Sequence, residues 1–125
     1  MRTLIITITT ALSTFGFAQS NYEAKMNDAL QLWKKDNQSA ISAFKEIDNE
    51  FKTQRLPPYY LALTQTLASF DLNDPIQREE LIEESKTIID RLFKDYPKDP
   101  EILNLKALNL TAEIALNPMK NGMLL

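Results

Sequence analysis

Four glutamates, Glu79, Glu80, Glu83 and Glu84, form the densest group of like charges in the sequence. Residues four apart share one face of a helix, so Glu79 would lie beside Glu83 and Glu80 beside Glu84. Paired carboxylates of this kind could bind a divalent cation or take part in acid–base catalysis. Acidic residues are also favoured in the first turns of a helix, near the positive end of its dipole. We favour this second explanation, which predicts a solvated helix start and no metal site.

The segment Asp71–Asp74 begins like a calcium-binding loop, with oxygen-bearing side chains at the first and third positions. The remainder of the loop pattern fails, because Pro75 takes a ligand position, Ile76 replaces the glycine and Ile82 replaces the final glutamate. An aspartate followed by proline is instead typical of a helix start. The segment therefore predicts a turn between two helices.

The composition excludes the commonest catalytic and metal sites. The chain has 125 residues with no histidine and no cysteine, so it can form neither a Ser–His–Asp triad nor the usual thiolate or imidazole zinc site. Its net charge of −3 argues against a nucleic-acid partner, which would require a basic surface. We therefore expect one domain in a binding or structural role, with no catalytic activity and no cofactor.

Five segments with helical spacing of apolar residues must position any binding surface. Three of them begin with recognisable start signals, which are Ser20 with Glu23, Asp74 with Pro75, and Asp99 with Pro100. The predicted helices run over about 21–35, about 38–53, from Pro57 to about Phe70, from Pro75 to about Tyr96, and from Pro100 to about Asn117. The short connections between them predict antiparallel neighbours.

In the third predicted helix the apolar stripe is assigned to Tyr60, Leu63, Leu67 and Phe70. The exposed positions of that helix would then be mildly polar, namely Thr64, Gln65, Thr66 and Ser69. In the first helix, Trp33 shares a stripe with Tyr22 and Met26, which favours packing in the core over ligand stacking.

Corresponding positions recur at similar intervals along the chain. Tyr22 and Tyr59 are 37 positions apart, as are Ala40 and Gln77, and Pro58 and Pro100 are 42 apart. Two-helix units repeating every 20 to 45 residues or so are typical of an α-solenoid. The alternative is a plain four- or five-helix bundle without register between units, and we favour the solenoid.

The first eighteen residues have the pattern of a secretory signal peptide. A positive start at Arg2 precedes an apolar run from Leu4 to Phe17, and Gly16 and Ala18 supply the small residues required for cleavage after Ala18. A short buried helix or strand is the alternative, and the β-branched residues of this stretch would suit a strand. We expect residues 1–18 to direct export to the periplasm and residues 19–125 to form the helical-repeat domain.

The stretch Ser85–Leu110 resembles the tetratricopeptide-repeat superfamily. Lys94–Glu101 is similar to the proline-marked turn between two repeats, and Leu103, Ala107 and Leu110 match the large, small and large positions of the next first helix. Lys106 departs from the pattern, since a leucine is expected there. The resemblance implies antiparallel helical hairpins stacked as a short solenoid, which binds partners along the surface formed by the first helix of each hairpin.

Further short segments, Leu32–Lys34 and Asn117–Met123, resemble small exported helical-repeat proteins of Bacteroidota, a group to which no particular activity is attached. Members of that group continue into another repeat, which implies that this domain is incomplete at its C-terminal end. The fifth helix agrees, because it is apolar nearly all round and requires a neighbour on more than one side. A further helix or a second copy of the chain would supply it.

The resulting expectation is an exported interaction module that binds a protein or peptide without chemistry. Tyr59 and Tyr60 point about 100° apart on a helix, so one of them should face the binding surface. The residues predicted to line that surface are Asn27, Gln31, Lys34, Tyr59, Tyr60, Gln65, Asn104 and Lys106. The alternative is a compact bundle that carries a small apolar ligand between its helices.

Overall fold

The computed structural model describes residues 19–117, and every regular element in this range is an α-helix. The prediction of an all-α fold is confirmed. The helices are α1 (residues 19–33), α2 (Asn37–Glu50), α3 (Leu56–Asp71), α4 (Pro75–Asp95) and α5 (Pro100–Leu116). The predicted signal peptide, residues 1–18, and the end of the chain from residue 118 lie outside the described residues.

Two of the predicted start signals are confirmed by hydrogen bonds at the helix ends. The carboxylate of Asp74 accepts from the backbone N–H of Ile76, and that of Asp99 accepts from the N–H of Glu101, with proline at the first helical position in both cases. The third signal is wrong. Residues 19 and 20 are already helical, so Ser20 lies inside α1 and does not cap it.

Helix α2 begins at a cap of the same chemical type. The Asp36 carboxylate accepts from the backbone N–H groups of Gln38 and Ser39, and it also accepts from the Ser39 hydroxyl over 2.6 Å. These hydrogen bonds, that of the Ser39 hydroxyl first, lower the pKa of Asp36. An anionic side chain is also favoured here by the helix dipole.

Alternate helices contact each other as well as consecutive ones. Helix α3 packs against α2, α4 and α5, and Trp33 of α1 contacts Tyr60 of α3 edge to face at 6.1 Å between ring centroids. On the other side, Arg91 of α4 donates to Asp48 of α2 over 3.0 Å. This neighbour order is compatible with two layers, α1, α3 and α5 in one and α2 and α4 in the other, as in a short α-solenoid.

Two apolar clusters follow one another along the stack. The first joins α1, α2 and α3, and the second joins α3, α4 and α5 around Ala62, Ile89 and Leu105. The buried members of the first cluster are Tyr22, Met26, Ala29, Ala40, Ile41, Phe44, Ile47, Leu61 and Ala68. Tyr22 and Met26, predicted to share the apolar stripe of the first helix, are therefore confirmed as core residues, and Trp33 packs against them half-buried.

The predicted orientation of α3 is wrong. Thr64, Gln65, Thr66 and Ser69 are all buried, whereas Phe70 is 41% exposed. Because α3 has neighbours on several sides, these polar residues are shielded from water, and the hydroxyls of Thr64 and Ser69 donate to the backbone of α3 itself. Thr64 Oγ1 donates to the Tyr60 carbonyl over 2.8 Å, for example, which satisfies a hydroxyl that has no access to water.

No helix within residues 19–117 combines the length and the apolarity that crossing a membrane would require.

Candidate functional site

Three of the predicted binding residues, Asn27, Gln31 and Lys34, meet in one shallow depression. They recur at intervals of three and four residues, so they share one outer side of α1 and the turn that follows it. Together with Leu30 and Trp33 they line a volume of about 420 Å³. We call this feature the α1 depression.

A second depression lies between α1 and the beginning of α3. It has a volume of about 510 Å³ and combines apolar side chains with amide groups. We call it the α1–α3 groove. Its lining residues are Gln19, Tyr22, Glu23, Met26, Asn27, Leu30, Gln54, Leu56 and Tyr60.

The α1 depression and the α1–α3 groove form one surface, because Asn27 and Leu30 line both. The surface extends from Gln19 to Lys34, which at about 1.5 Å per helical residue corresponds to about 22 Å. Glu23 carries a negative charge near one end and Lys34 a positive charge at the other. Amides and apolar side chains lie between them. A surface of this composition can bind an amphipathic segment, and the opposite charges at its ends favour one direction of the bound chain.

The aromatic side chains at this surface are held by other rings. Tyr60 stacks on the buried ring of Phe44, with centroids 5.4 Å apart and planes 16° apart, and meets Trp33 edge to face. Trp33 in turn donates from Nε1 to Asn37 Oδ1 over 3.0 Å. Because the rings are fixed before any partner arrives, little side-chain entropy remains to be lost on binding.

Tyr22 is a groove residue that was predicted only as part of the core. Its side chain is 6% exposed, yet its hydroxyl has no hydrogen-bond partner among the described residues. Burial raises the pKa of this hydroxyl above its ordinary value. Unpaired buried hydroxyls are uncommon in folded proteins, and no pattern in the sequence marks this one.

Tyr59 and Tyr60 diverge, as their adjacent positions predict. Tyr60 packs against the first apolar cluster and lines the groove, whereas Tyr59 packs against the second cluster. The Arg55 guanidinium lies 5.3 Å from the Tyr59 ring centroid. Burial, together with the negative charge of Glu101, raises the pKa of Tyr59. Tyr60 is therefore the member of the pair that belongs to the candidate site.

The expectation that Gln65 faces a binding surface is wrong. Its side chain is 1% exposed and donates from Nε2 to Glu84 Oε2 over 2.9 Å. Asn104 and Lys106 are exposed on α5 but do not line the groove. The Lys106 ammonium lies 4.3 Å from the Phe93 ring centroid, beside a different depression between α4 and α5.

The four glutamates of α4 do not form a metal site in the described structure. No group of three or more carboxylates within residues 19–117 is arranged to hold an ion. Glu84 instead accepts from Gln65 and lies 3.9 Å from Lys45 of α2. At least this member of the cluster acts in packing α4 against α2 and α3.

No protein-family model, curated protein or solved structure matches this chain.

Proposed function

We propose that this chain is an exported binding module that holds an amphipathic segment of another protein on the surface formed by the α1 depression and the α1–α3 groove. The observation that carries the proposal is the convergence of Asn27, Gln31, Lys34 and Tyr60 on one continuous surface. Such a surface binds without covalent chemistry, through apolar contacts supplemented by a few oriented polar groups.

The side chains of the groove indicate the chemistry of the bound segment. Met26, Leu30 and Leu56 require apolar side chains in the partner, and the amides of Asn27 and Gln31 can pair with polar side chains or with backbone groups. Opposite charges at the two ends favour a segment with a basic residue near Glu23 and an acidic residue near Lys34.

The alternative of a small apolar ligand has less support. Both depressions are open to solvent and carry amides and charges, whereas a site for an apolar ligand would be enclosed and mostly apolar. The buried interior between the helices is occupied by two packed clusters. We therefore assign the candidate site to a polypeptide partner.

Selection from a random peptide library displayed on phage tests this function with the full chain as bait. Recovered peptides are synthesised, and their dissociation constants are measured by fluorescence anisotropy. Lys34→Glu should weaken binding of acidic, apolar peptides about tenfold, because it places like charges together at the groove. Lys94→Glu makes the same charge change at an exposed position of α4 and should leave binding unchanged.

Two results would contradict the proposal. One is a library that yields no peptide enriched over an unrelated bait. The other is a set of peptides whose affinity is the same for the native chain and for the Lys34→Glu variant, because those peptides would bind elsewhere. Circular dichroism of each variant separates a loss of binding from a loss of folding.

A further inference from the structure

Helix α5 carries an apolar stripe on the side that faces away from the core. The buried side of the helix consists of Ile102, Leu105, Asn109 and Ala112. At 100° per residue, the opposite side consists of Leu103, Ala107, Leu110 and Ile114. Leu103 is 45% exposed, Ala107 is exposed, and Leu110 and Ile114 are half-buried.

The spacing of this outer stripe is that of a helix-pairing seam. Its members follow one another at intervals of four, three and four residues, which is the alternation of core positions in a coiled coil. Among the described residues α5 packs against α3 and α4, and this packing leaves Leu103 and Ala107 of the outer stripe exposed. Only one charged residue, Lys106, occurs between Ile102 and Ala112.

The geometry points to a second copy of this chain as the occupant, with the two α5 helices antiparallel about a two-fold axis. In that arrangement Leu103 of one copy meets Ile114 of the second copy, and Ala107 meets Leu110 of the second copy. Large side chains therefore meet at both ends of the seam, and the small Ala107 makes room for Leu110. A two-fold interface requires this kind of self-complementary surface.

Charges along one flank of the stripe decide the orientation. Lys106 and Glu113 are seven residues apart, so they lie on the same flank of α5. In a parallel pair about a two-fold axis, this flank would face the opposite and uncharged flank of the second copy, which carries Asn104 and Thr111, whereas an antiparallel pair brings each Lys106 to Glu113 of the second copy. The existing ion pair of Glu113 with Lys86, at 3.2 Å, is compatible with this second cation.

A depression beside the seam leaves room for side chains of the second copy. It has a volume of about 170 Å³, and Leu110, Lys106 and Glu113 are among its lining residues. A seam of four residues on each helix is short compared with the roughly 800 Å² per partner of a standard stable interface. The association is therefore weak, and it requires high protein concentration to be populated.

Analytical ultracentrifugation of the full chain over a range of protein concentrations tests the inference. We expect a reversible monomer–dimer equilibrium. Ala107→Glu places two carboxylates in the centre of the seam and should raise the dimer dissociation constant about 100-fold or more. Ala24→Glu, at an exposed alanine of α1, is the matched control and should leave the equilibrium unchanged. Helical circular dichroism should be retained in both variants, because both alanines are exposed.

Disulfide trapping tests the orientation, since the native chain has no cysteine. Equal amounts of Leu103→Cys and Ile114→Cys chains are mixed and oxidised, and the products are identified by mass spectrometry. The antiparallel pair should yield mostly the mixed disulfide. Three results would overturn the inference. They are a product that consists mostly of self-disulfides, a native chain that is monomeric at every concentration, and an Ala107→Glu chain that associates as strongly as the native one.

Discussion

Asn109 of α5 donates from Nδ2 to Ser85 Oγ of α4 over 2.7 Å, and both side chains are buried. The same amide group lies 3.3 Å from Thr66 Oγ1 of α3, so three helices meet at one polar junction. The Ser85 hydroxyl donates in turn to the Ile82 carbonyl over 2.9 Å. Because a buried amide costs free energy unless it is paired, this junction fixes the rotation of α5 about its axis. It thereby fixes the direction in which the stripe from Leu103 to Ile114 faces.

Asn109→Ala should lower the free energy of unfolding by about 1–3 kcal/mol, because it removes the donor shared by Ser85 and Thr66 and leaves those buried oxygens with fewer partners. Urea denaturation followed by circular dichroism measures the change. Asn104→Ala, an exposed substitution on the same helix, should change the same quantity by less than about 0.5 kcal/mol. Equal losses of unfolding free energy in the two variants would show that the junction does not stabilise the packing of α5.

The contacts of α3 with several other helices explain why the sequence predicted the wrong side of it. Thr64, Gln65, Thr66 and Ser69 are polar side chains, so a division into apolar and polar positions assigns them to solvent. In the structure α3 contacts α2, α4 and α5, so positions on several sides of it are buried whatever their polarity. The signal in the sequence was the absence of charge, because Leu56 to Phe70 contains no charged residue.

Helix starts were predictable where the capping chemistry is local. Asp74 and Asp99 bind the backbone two residues ahead, so the sequence alone contains both partners of each hydrogen bond. Gln65 could not be placed in this way, since its burial depends on Glu84 of another helix.

The α1 side of the candidate site was predictable for the same reason as the caps, because Asn27, Gln31 and Lys34 follow from the periodicity of one helix. Tyr22 was recognised as apolar, but its unpaired hydroxyl depends on the tertiary packing.

Cleavage after Ala18 would give the exported protein Gln19 as its first residue. Intact mass spectrometry of the protein purified from its source cell should show a loss of about 2 kDa relative to the encoded chain. Ala18→Arg should prevent processing, because the signal peptidase requires a small residue at that position. Ser20→Arg, two residues further on, is the control and should be processed. A purified native protein that still begins at Met1 would contradict the export prediction.

Arg55, directly before α3, holds the start of α5 through Asp99. The guanidinium Nε donates to Asp99 Oδ2 over 2.7 Å, and this hydrogen bond is the main cause of a lowered pKa of Asp99. Asp99 also caps α5 through the Glu101 N–H. Since the pKa is lowered in the folded state, the stabilisation is present above the unfolded-state pKa of about 3.9, and it is lost as the pH falls through the folded-state pKa.

Arg55→Met should therefore raise the pKa of Asp99 toward its ordinary value and reduce the loss of stability on acidification below about pH 4. Titration of the side-chain carboxyl carbons by NMR measures the pKa directly. Asp36 supplies an internal control, because its lowered pKa rests on Ser39 and the backbone of Gln38, and it should titrate unchanged in the variant. If Asp99 also titrated unchanged, the ion pair with Arg55 would not be the cause of its lowered pKa. The starts of α3 and α5 would then be linked by packing alone.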